Sequence, residues 1–352
     1  MTANSYPKIL LVCNQRIYDT YVAPEEVQRL EKFASLEWLP YEDDNNLDKE
    51  SRTAKFLESI SNVDGLIISH GSPIINSEIM DAAPNLKIIG ELEDDRFANR
   101  VDLEAAWKRN ICTVDTTNGS SYPVSEWALA LILISLRNAG AQFRRVIAGH
   151  TSMDPDAFKY AGGLLVRKRV GLIGCGHMGR RLMRYLQPFE TEIWVYDPYL
   201  PREMAESLGF LQTSLENILS KCQVIVCLAP LTPKTRGMIG KNELNRIPSG
   251  AVLVNVSRGA IINSEALIER LKRGDIIAGL DVFDPEPIPP DSEILHLPNV
   301  FITPHFAYFT GNQYRESFGL MVDELDRFFH GHETFFDLTS RSLANRRGID
   351  SD

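Results

Sequence analysis

The sequence predicts an α/β protein of two domains, each built on a parallel sheet covered by helices. Three observations carry that expectation. The chain has 352 residues, enough for two cores at roughly 150 residues per domain. Short apolar runs alternate with helical patterns along the whole length, the rhythm of βαβ units. One run, Val170-Gly171-Leu172-Ile173, opens into the turn GCGHMG and then into the helical pattern RRLMRYLQ, the order of a nucleotide-binding unit.

In the first part, strands are expected over residues 8–13, 36–39, 65–69, 86–89 and 111–114, where apolar residues cluster between turn residues. Helical patterns cover 24–33 and 101–109. The second is followed by Asn110, a residue suited to a C-cap. One long helix is expected from Val124 to about Gly149. Its first half is apolar and its later half carries Arg137, Arg144 and Arg145, so it reads as an interdomain or subunit-contact helix. A second strand series follows at 169–173, 192–196, 224–228, 251–256, 277–280 and 300–302. The tail over 316–329 has Leu320, Met321, Leu325, Phe328 and Phe329 at helical spacing. The acidic run 42–46 reads as a solvated loop, and residues 345–352 as a frayed end.

Composition narrows the function. Hydrophobic residues make up 44% and charged residues 24%, which excludes a mainly disordered, collagen-like or disulfide-stapled chain. Lys plus Arg is 37 and Asp plus Glu is 47, a formal charge of −10. Such a chain has no bulk attraction for phosphate backbones or anionic membranes, so neither nucleic acid nor membrane is an expected partner. The densest apolar run, residues 128–134, falls well short of the ~20 residues that span a bilayer. The start of the chain has no secretory pattern, so a cytoplasmic location is expected. Cys13, Cys112, Cys175, Cys222 and Cys227 form no C-x-x-C pair. Buried reduced thiols are expected, with no metal site.

The Gly-rich turn has the chemistry of a dinucleotide site. Gly174 permits the tight turn, Gly176 lets a pyrophosphate approach the backbone, and Gly179 lets helix and strand pack closely. The helix start offers N–H groups and a positive dipole end to the phosphates. Asp197 ends the next apolar run, 18 residues beyond Gly179. An acid there accepts the ribose hydroxyls of NAD and repels the extra phosphate of NADP. The cofactor is therefore expected to be NAD.

The segments GLIGCGHMGRRL, CLAPLTPKTRGMI from Cys227, VLVNVSRGAIIN from Val252, AGLDVFDPEP from Ala278 and ITPHFA from Ile302 occur in an order that resembles the D-isomer-specific 2-hydroxyacid dehydrogenases. LKIIG at Leu86 and SEWALALIL at Ser125 extend the resemblance over most of the chain. It implies two Rossmann-like or flavodoxin-like domains with the active site in the cleft between them. It implies a discontinuous substrate-binding domain, 1–120 and 307–352, and an NAD-binding domain, 121–306. It also implies a homodimer built partly on the long helix. The activity implied is hydride transfer between NAD(H) and a 2-hydroxy or 2-keto acid. Arg258 matches the substrate-binding Arg, whose planar fork suits a carboxylate. His305 matches the general acid/base. Glu286 matches its partner, a carboxylate that favours the imidazolium. Gly174, Gly176, His177, Met178, Gly179, Asp197, Ala229, Pro230, Val256 and Ser257 match cofactor-binding positions. Asp281 matches the Asp that meets the nicotinamide amide.

The chain also departs from the family pattern. A Gly-rich substrate loop usually follows the LKIIG-type strand. Here residues 91–100 contain no glycine and begin with Glu91, Glu93, Asp94 and Asp95. Either these acids face solvent while Arg96 or Arg100 supplies positive charge, or they bind a cationic or hydroxyl-rich substrate. His70, Glu91 and Arg96 are candidate substrate contacts. Phe306, Tyr308 and Phe309 stand where relatives often have small residues. An NAD(H)-sensing regulatory protein of the same fold, akin to the family's corepressors, is the alternative to an enzyme. The formate-oxidising branch is disfavoured by Glu286, where that branch has Gln; a phosphite-oxidising branch is less well separated.

Overall fold

Two parallel sheets organise the chain in this computed structural model. It describes all residues except 1–5, 42–48, 70, 93–99, 117, 118, 120, 154–161, 312, 341, 342 and 345–352. The acidic run 42–46 and the tail 345–352 thus lie outside the described residues. The chain divides into two compact units, residues 1–120 with 310–343, and residues 121–309.

The first unit holds β1 (Lys8–Cys13), β2 (Ser35–Pro40), β3 (Gly65–Ile68), β4 (Ile88–Glu91) and β5 (Cys112–Asp115) in the order β2-β1-β3-β4-β5, a flavodoxin-like arrangement. All pairs are parallel. Parallel sheets need both faces covered, and side chains two apart point to the same face. Accordingly Leu10, Val12, Leu66 and Ile68 pack with Phe56 and Ile60 in one core layer. Ile9, Leu11, Ile67 and Ile88 pack with Leu30, Phe318, Met321 and Leu325 in another. Each large apolar side chain so buried contributes about 1.5–3 kcal/mol. Asn14, Asn76 and Asp102 start helices by accepting a backbone N–H from the third residue onward. Asn110 has the left-handed backbone of a C-cap, φ 57°.

The tail helix, Gln313–Phe329, belongs to this unit despite its distance in sequence. Its buried face is Phe318, Met321, Val322 and Leu325, spaced i, i+3, i+4 and i+7. Leu320, Phe328 and Phe329, which share the helical spacing, are half-buried at the rim. Arg29 sets the rotation by donating to the Gly319 carbonyl at 2.7 Å and pairing with Asp323. Glu324, buried on the same helix, accepts the N–H groups of Phe335 and Phe336 at 2.7 and 3.0 Å.

The second unit holds β6 (Arg169–Ile173), β7 (Glu192–Tyr196), β8 (Leu211–Gln212), β9 (Val224–Cys227), β10 (Val252–Asn255), β11 (Ile277–Leu280) and β12 (Val300–Ile302). Their order is β12-β11-β10-β9-β6-β7-β8, the doubly wound arrangement in which β6 and β9 flank the switch point. The strand β8 has two residues, too short to leave a pattern in the sequence. The single helix expected over 124–149 is two helices, Ser121–Leu136 and Ala139–Ile147. Asn138 breaks it by taking a left-handed backbone, φ 44°, a conformation Asn tolerates better than most residues. Ala128, Leu131, Ile132 and Leu136 bury the first helix in the core. The second exposes Phe143, Val146 and Ile147.

All five cysteines are free. Burial pushes the Cys175 thiol up to about 11 and those of Cys222 and Cys227 up to about 12, which keeps them protonated and unreactive at neutral pH. Among the described residues no cluster of metal ligands occurs, and no helix is long and apolar enough to cross a membrane.

Candidate active site

The C-terminal edge of the seven-stranded sheet collects the chemistry of the second unit. This is where loops of neighbouring parallel strands converge and where ligands of doubly wound sheets lie. Gly174 follows β6 with φ 96°, a backbone region costly to any side chain. A Cβ there would meet the Ala229 backbone nitrogen at 2.8 Å, so the turn after β6 lies against the loop after β9. A Cβ on Gly179 would meet the Gly174 carbonyl oxygen at 2.9 Å. Gly176 is the N-cap of the helix His177–Leu186, offers no side chain to cap its first turn, and would have nothing within 4 Å of a Cβ. Open space in front of an N-terminus without a side-chain cap fits a pyrophosphate.

Asp197 follows β7. Its carboxylate accepts the Cys175 N–H at 2.9 Å and the Tyr199 N–H at 3.0 Å, which fixes it beside the Gly-rich turn. Met178 is half-buried, and its carbonyl accepts the Ser125 hydroxyl at 3.1 Å. Ser257 donates to the Ala229 carbonyl and Val256 is buried, while Pro230 is exposed. These residues and the turn surround one edge of the sheet. The donor set fits NAD: N–H groups for the phosphates and a carboxylate for the ribose.

Arg258, Glu286 and His305 lie in this same unit. Asn255, the last residue of β10, donates through Nδ2 to the Arg258 carbonyl at 3.1 Å and thereby shapes the turn that carries the guanidinium. A Cβ on Gly259 would overlap the Phe283 carbonyl group. Only glycine lets the Arg258 turn touch the segment that leads to Glu286. Pro285 and Pro287 flank Glu286 and restrict its loop, and Ser264 ties that loop down by donating to the Asp284 carbonyl at 2.6 Å. His305 Nδ1 lies 2.9 Å from Glu286 Oε2, with both side chains about one-third exposed, 37% and 36%. The structure therefore makes the Glu286–His305 contact between positions 19 apart in sequence.

His305 has a left-handed backbone, φ 52°, which costs a non-glycine residue about 1–2 kcal/mol. Its N–H donates to the Asp281 carbonyl at 2.8 Å. The next two N–H groups, of Phe306 and Ala307, donate to Asp281 Oδ1 and Oδ2 at 3.1 and 3.0 Å. The Thr303 hydroxyl donates to Oδ1 at 2.5 Å and is 3.3 Å from Trp127 Nε1. Asp281 consequently has no exposed surface. The resemblance gives its carboxylate to the nicotinamide amide; in the structure the same carboxylate accepts the N–H groups of residues 306 and 307. Sequence reasoning missed Thr303 and Trp127. A hydroxyl just before Pro304 and an indole on an apolar helix are the signals, and neither is distinctive alone.

Glu91 is also placed differently from expectation. Strand β4 runs on through Glu91, which pairs with Ile68 and Asp115 in neighbouring strands. It is fully buried rather than facing solvent, with Arg100 3.7 Å from its carboxylate. Arg100 also donates to the Ser69 carbonyl. His70, Arg96 and the remaining acids of the 93–95 run lie outside the described residues.

Residues 129–307 match the family model of the D-isomer specific 2-hydroxyacid dehydrogenase NAD-binding domain. The D-3-phosphoglycerate dehydrogenase of Methanocaldococcus jannaschii is 32% identical over 279 residues, 79% of this chain and 52% of that protein. The chain thus spans about half the length of that relative. The glyoxylate reductase of Korarchaeum cryptofilum is 32% identical over 252 residues, 71% of this chain and 75% of that protein. In fold, the chain resembles a phosphoglycerate oxidoreductase from Rhizobium etli, with a TM-score of 0.82, 22% identity, and coverage of 96% of this chain and 99% of that one. The nucleotide edge described above and these matches together place the chain in the D-isomer specific 2-hydroxyacid dehydrogenase family, with NAD as its cofactor.

Proposed function

We propose that this protein is an NAD-dependent dehydrogenase that interconverts a 2-keto acid and its D-2-hydroxy acid. The observation that carries the reading is the 2.9 Å approach of Glu286 to His305 on the sheet edge that also bears the Gly-rich turn. NADH, when bound, supplies a hydride to the carbonyl carbon. The chain's residues do the rest. The Arg258 fork holds the substrate carboxylate and orients the adjacent carbonyl. Glu286 receives His305 Nδ1–H and stabilises the imidazolium. Nε2–H then delivers its proton to the carbonyl oxygen, and the neutral ring keeps Nδ1–H. Carbon has gained a hydride and oxygen a proton, which gives the hydroxy acid; oxidation runs the same steps backwards.

Gly174, Gly176, His177, Met178 and Gly179 with Ala229, Pro230, Val256 and Ser257 form the cofactor cradle in this reading, and Asp197 reads the ribose. Asp197→Ala then narrows the preference for NAD over NADP by about tenfold, the loss of a charge-assisted hydrogen bond and of a repulsion. The kcat/KM ratio for the two cofactors measures it, and an unchanged ratio places the ribose reader elsewhere.

The domain roles follow. Residues 1–120 and 307–352 form the substrate-binding domain, and 121–306 the NAD-binding domain. The second helix of the broken pair exposes Phe143 to 65% and Ile147 to 73%, an apolar face that suits a homodimer contact. Sedimentation is expected to give the mass of two chains; the mass of one removes the dimer. A panel of 2-keto acids, among them glyoxylate, hydroxypyruvate, phenylpyruvate and 3-phosphohydroxypyruvate, tests the function. Steady NADH consumption with at least one, and formation of its D-hydroxy acid, is expected. NADH binding without turnover on any of them leaves the regulatory reading in its place.

A further inference from the structure

We propose that Asp281, Thr303 and Trp127 form a positioning array that holds His305 in its left-handed backbone conformation and so aims the imidazole. This rests on the reading of His305 as the proton donor. Three successive N–H groups, those of His305, Phe306 and Ala307, converge on one residue, Asp281. Consecutive N–H groups around a left-handed residue make a concave anion site. Here the chain supplies the acceptors itself: the Asp281 carbonyl takes the His305 N–H, and the two carboxylate oxygens take those of Phe306 and Ala307, with Asp281 wholly buried.

The polarity of the array is consistent along its length. Trp127 Nε1–H has no lone pair to offer, so at 3.3 Å from Thr303 Oγ1 it donates. The Thr303 hydroxyl, with its oxygen so engaged, donates to Asp281 Oδ1 at 2.5 Å. The Asp281 carboxylate is left as acceptor only, which is what the N–H groups of Phe306 and Ala307 require. The Trp127 ring also meets the Phe306 ring edge-on, centroids 4.9 Å apart. Trp127 sits on the buried helix Ser121–Leu136, so the residue after His305 is gripped from a rigid element. The array thus fixes the backbone of His305, while Glu286 fixes its ring. An imidazole that must reach both Glu286 and a carbonyl oxygen tolerates little rotation at its own Cα.

Asp281→Asn keeps the size and turns an NH2 group toward one of the two N–H donors, Phe306 or Ala307, that the carboxylate accepts. It is expected to lower kcat about 100-fold; in the Thr303 variants the dissociation constant for NADH, read by fluorescence titration without substrate, stays within about threefold. Thr303→Val is expected to lower kcat about tenfold with KM unchanged, and Thr303→Ser to restore it to within about twofold. In both impaired variants the limb of the kcat–pH profile that reports the imidazolium moves. A merely structural contact would lower the melting temperature and leave kcat per folded molecule and the pH profile in place. Loss of kcat in Asp281→Asn with Thr303→Val silent in both kcat and the pH profile confines Asp281 to the cofactor and overturns the proposal. If Asp281→Asn does not fold, the Thr303 pair and Trp127→Phe, which keeps a ring and removes the N–H, decide the matter on the same readouts. His305→Ala is the control. Full turnover in that variant removes His305 as donor and the array with it, whereas loss of turnover there with normal kcat in the Thr303 variants refutes the array alone.

Discussion

His305→Ala is expected to lower kcat for 2-keto acid reduction by about 10³-fold, within the range general acid catalysis supplies. NADH should still bind with nearly unchanged affinity, because the Gly-rich turn and Asp197 lie on other loops of the sheet edge. The split between turnover and binding is the diagnostic part. Without the imidazole, the developing alkoxide must take its proton from water, with no positioned donor at hand. Glu286→Gln should fall between His305→Ala and the native protein. The amide oxygen introduced there can still accept from Nδ1–H, but a neutral amide stabilises the imidazolium less than a carboxylate does. Pre-steady-state consumption of NADH, followed with and without substrate, separates the chemical step from binding. Turnover unchanged in His305→Ala would take the imidazole out of the mechanism.

Arg258→Ala is expected to cost about 10³-fold in kcat/KM, or roughly 4 kcal/mol of transition-state stabilisation at about 1.36 kcal/mol per tenfold. The guanidinium is asked to bind a carboxylate and to aim the carbonyl beside it, so both KM and kcat should suffer. Arg258→Lys keeps the charge and loses the fork. It should recover part of KM and little of kcat, since a point charge attracts a carboxylate without fixing its plane. Added guanidinium ion should partly rescue Arg258→Ala, and ammonium ion should not. Equal loss in the lysine and alanine variants would mean geometry alone matters, and no loss in either would move substrate binding to another residue. The turn that carries Arg258 is kept by Asn255 and by the bare Cα of Gly259, so both variants keep these supports and lose the Arg258 Nη1 bond to the Ser257 carbonyl at 2.8 Å.

How far the sequence can be read depends on the range of the interaction. The Gly-rich turn was legible because strand, turn and helix are contiguous, and its requirements are local: a left-handed glycine, an N-terminus without a side-chain cap and a close helix. The strands β6, β7, β11 and β12 were legible at their full extent because both faces are covered and apolar runs mark them plainly. The family motifs named Arg258, Glu286 and His305, but no spacing says that a loop 19 residues upstream will bring a carboxylate to 2.9 Å from a histidine ring. The break at Asn138 was missed because the apolar pattern runs through it, and only the local conformational tolerance of Asn marks the spot.

Chain order and residue type were enough to establish the α/β class, and they nominated Gly174–Gly179 and Asp197 for the dinucleotide, while the family motifs nominated the three side chains of the proposed reaction. The class and the Gly-rich turn arise from short-range geometry, which a linear pattern encodes directly. The inward turn of Asp281, the burial of Glu91 against Arg100 and the contacts of Trp127 and Thr303 with Phe306 and Asp281 arise differently. Each is settled by which strands become neighbours and by where buried polar groups must find partners. That satisfaction of donors and acceptors is a property of the assembled sheets, and no single stretch of the chain holds it.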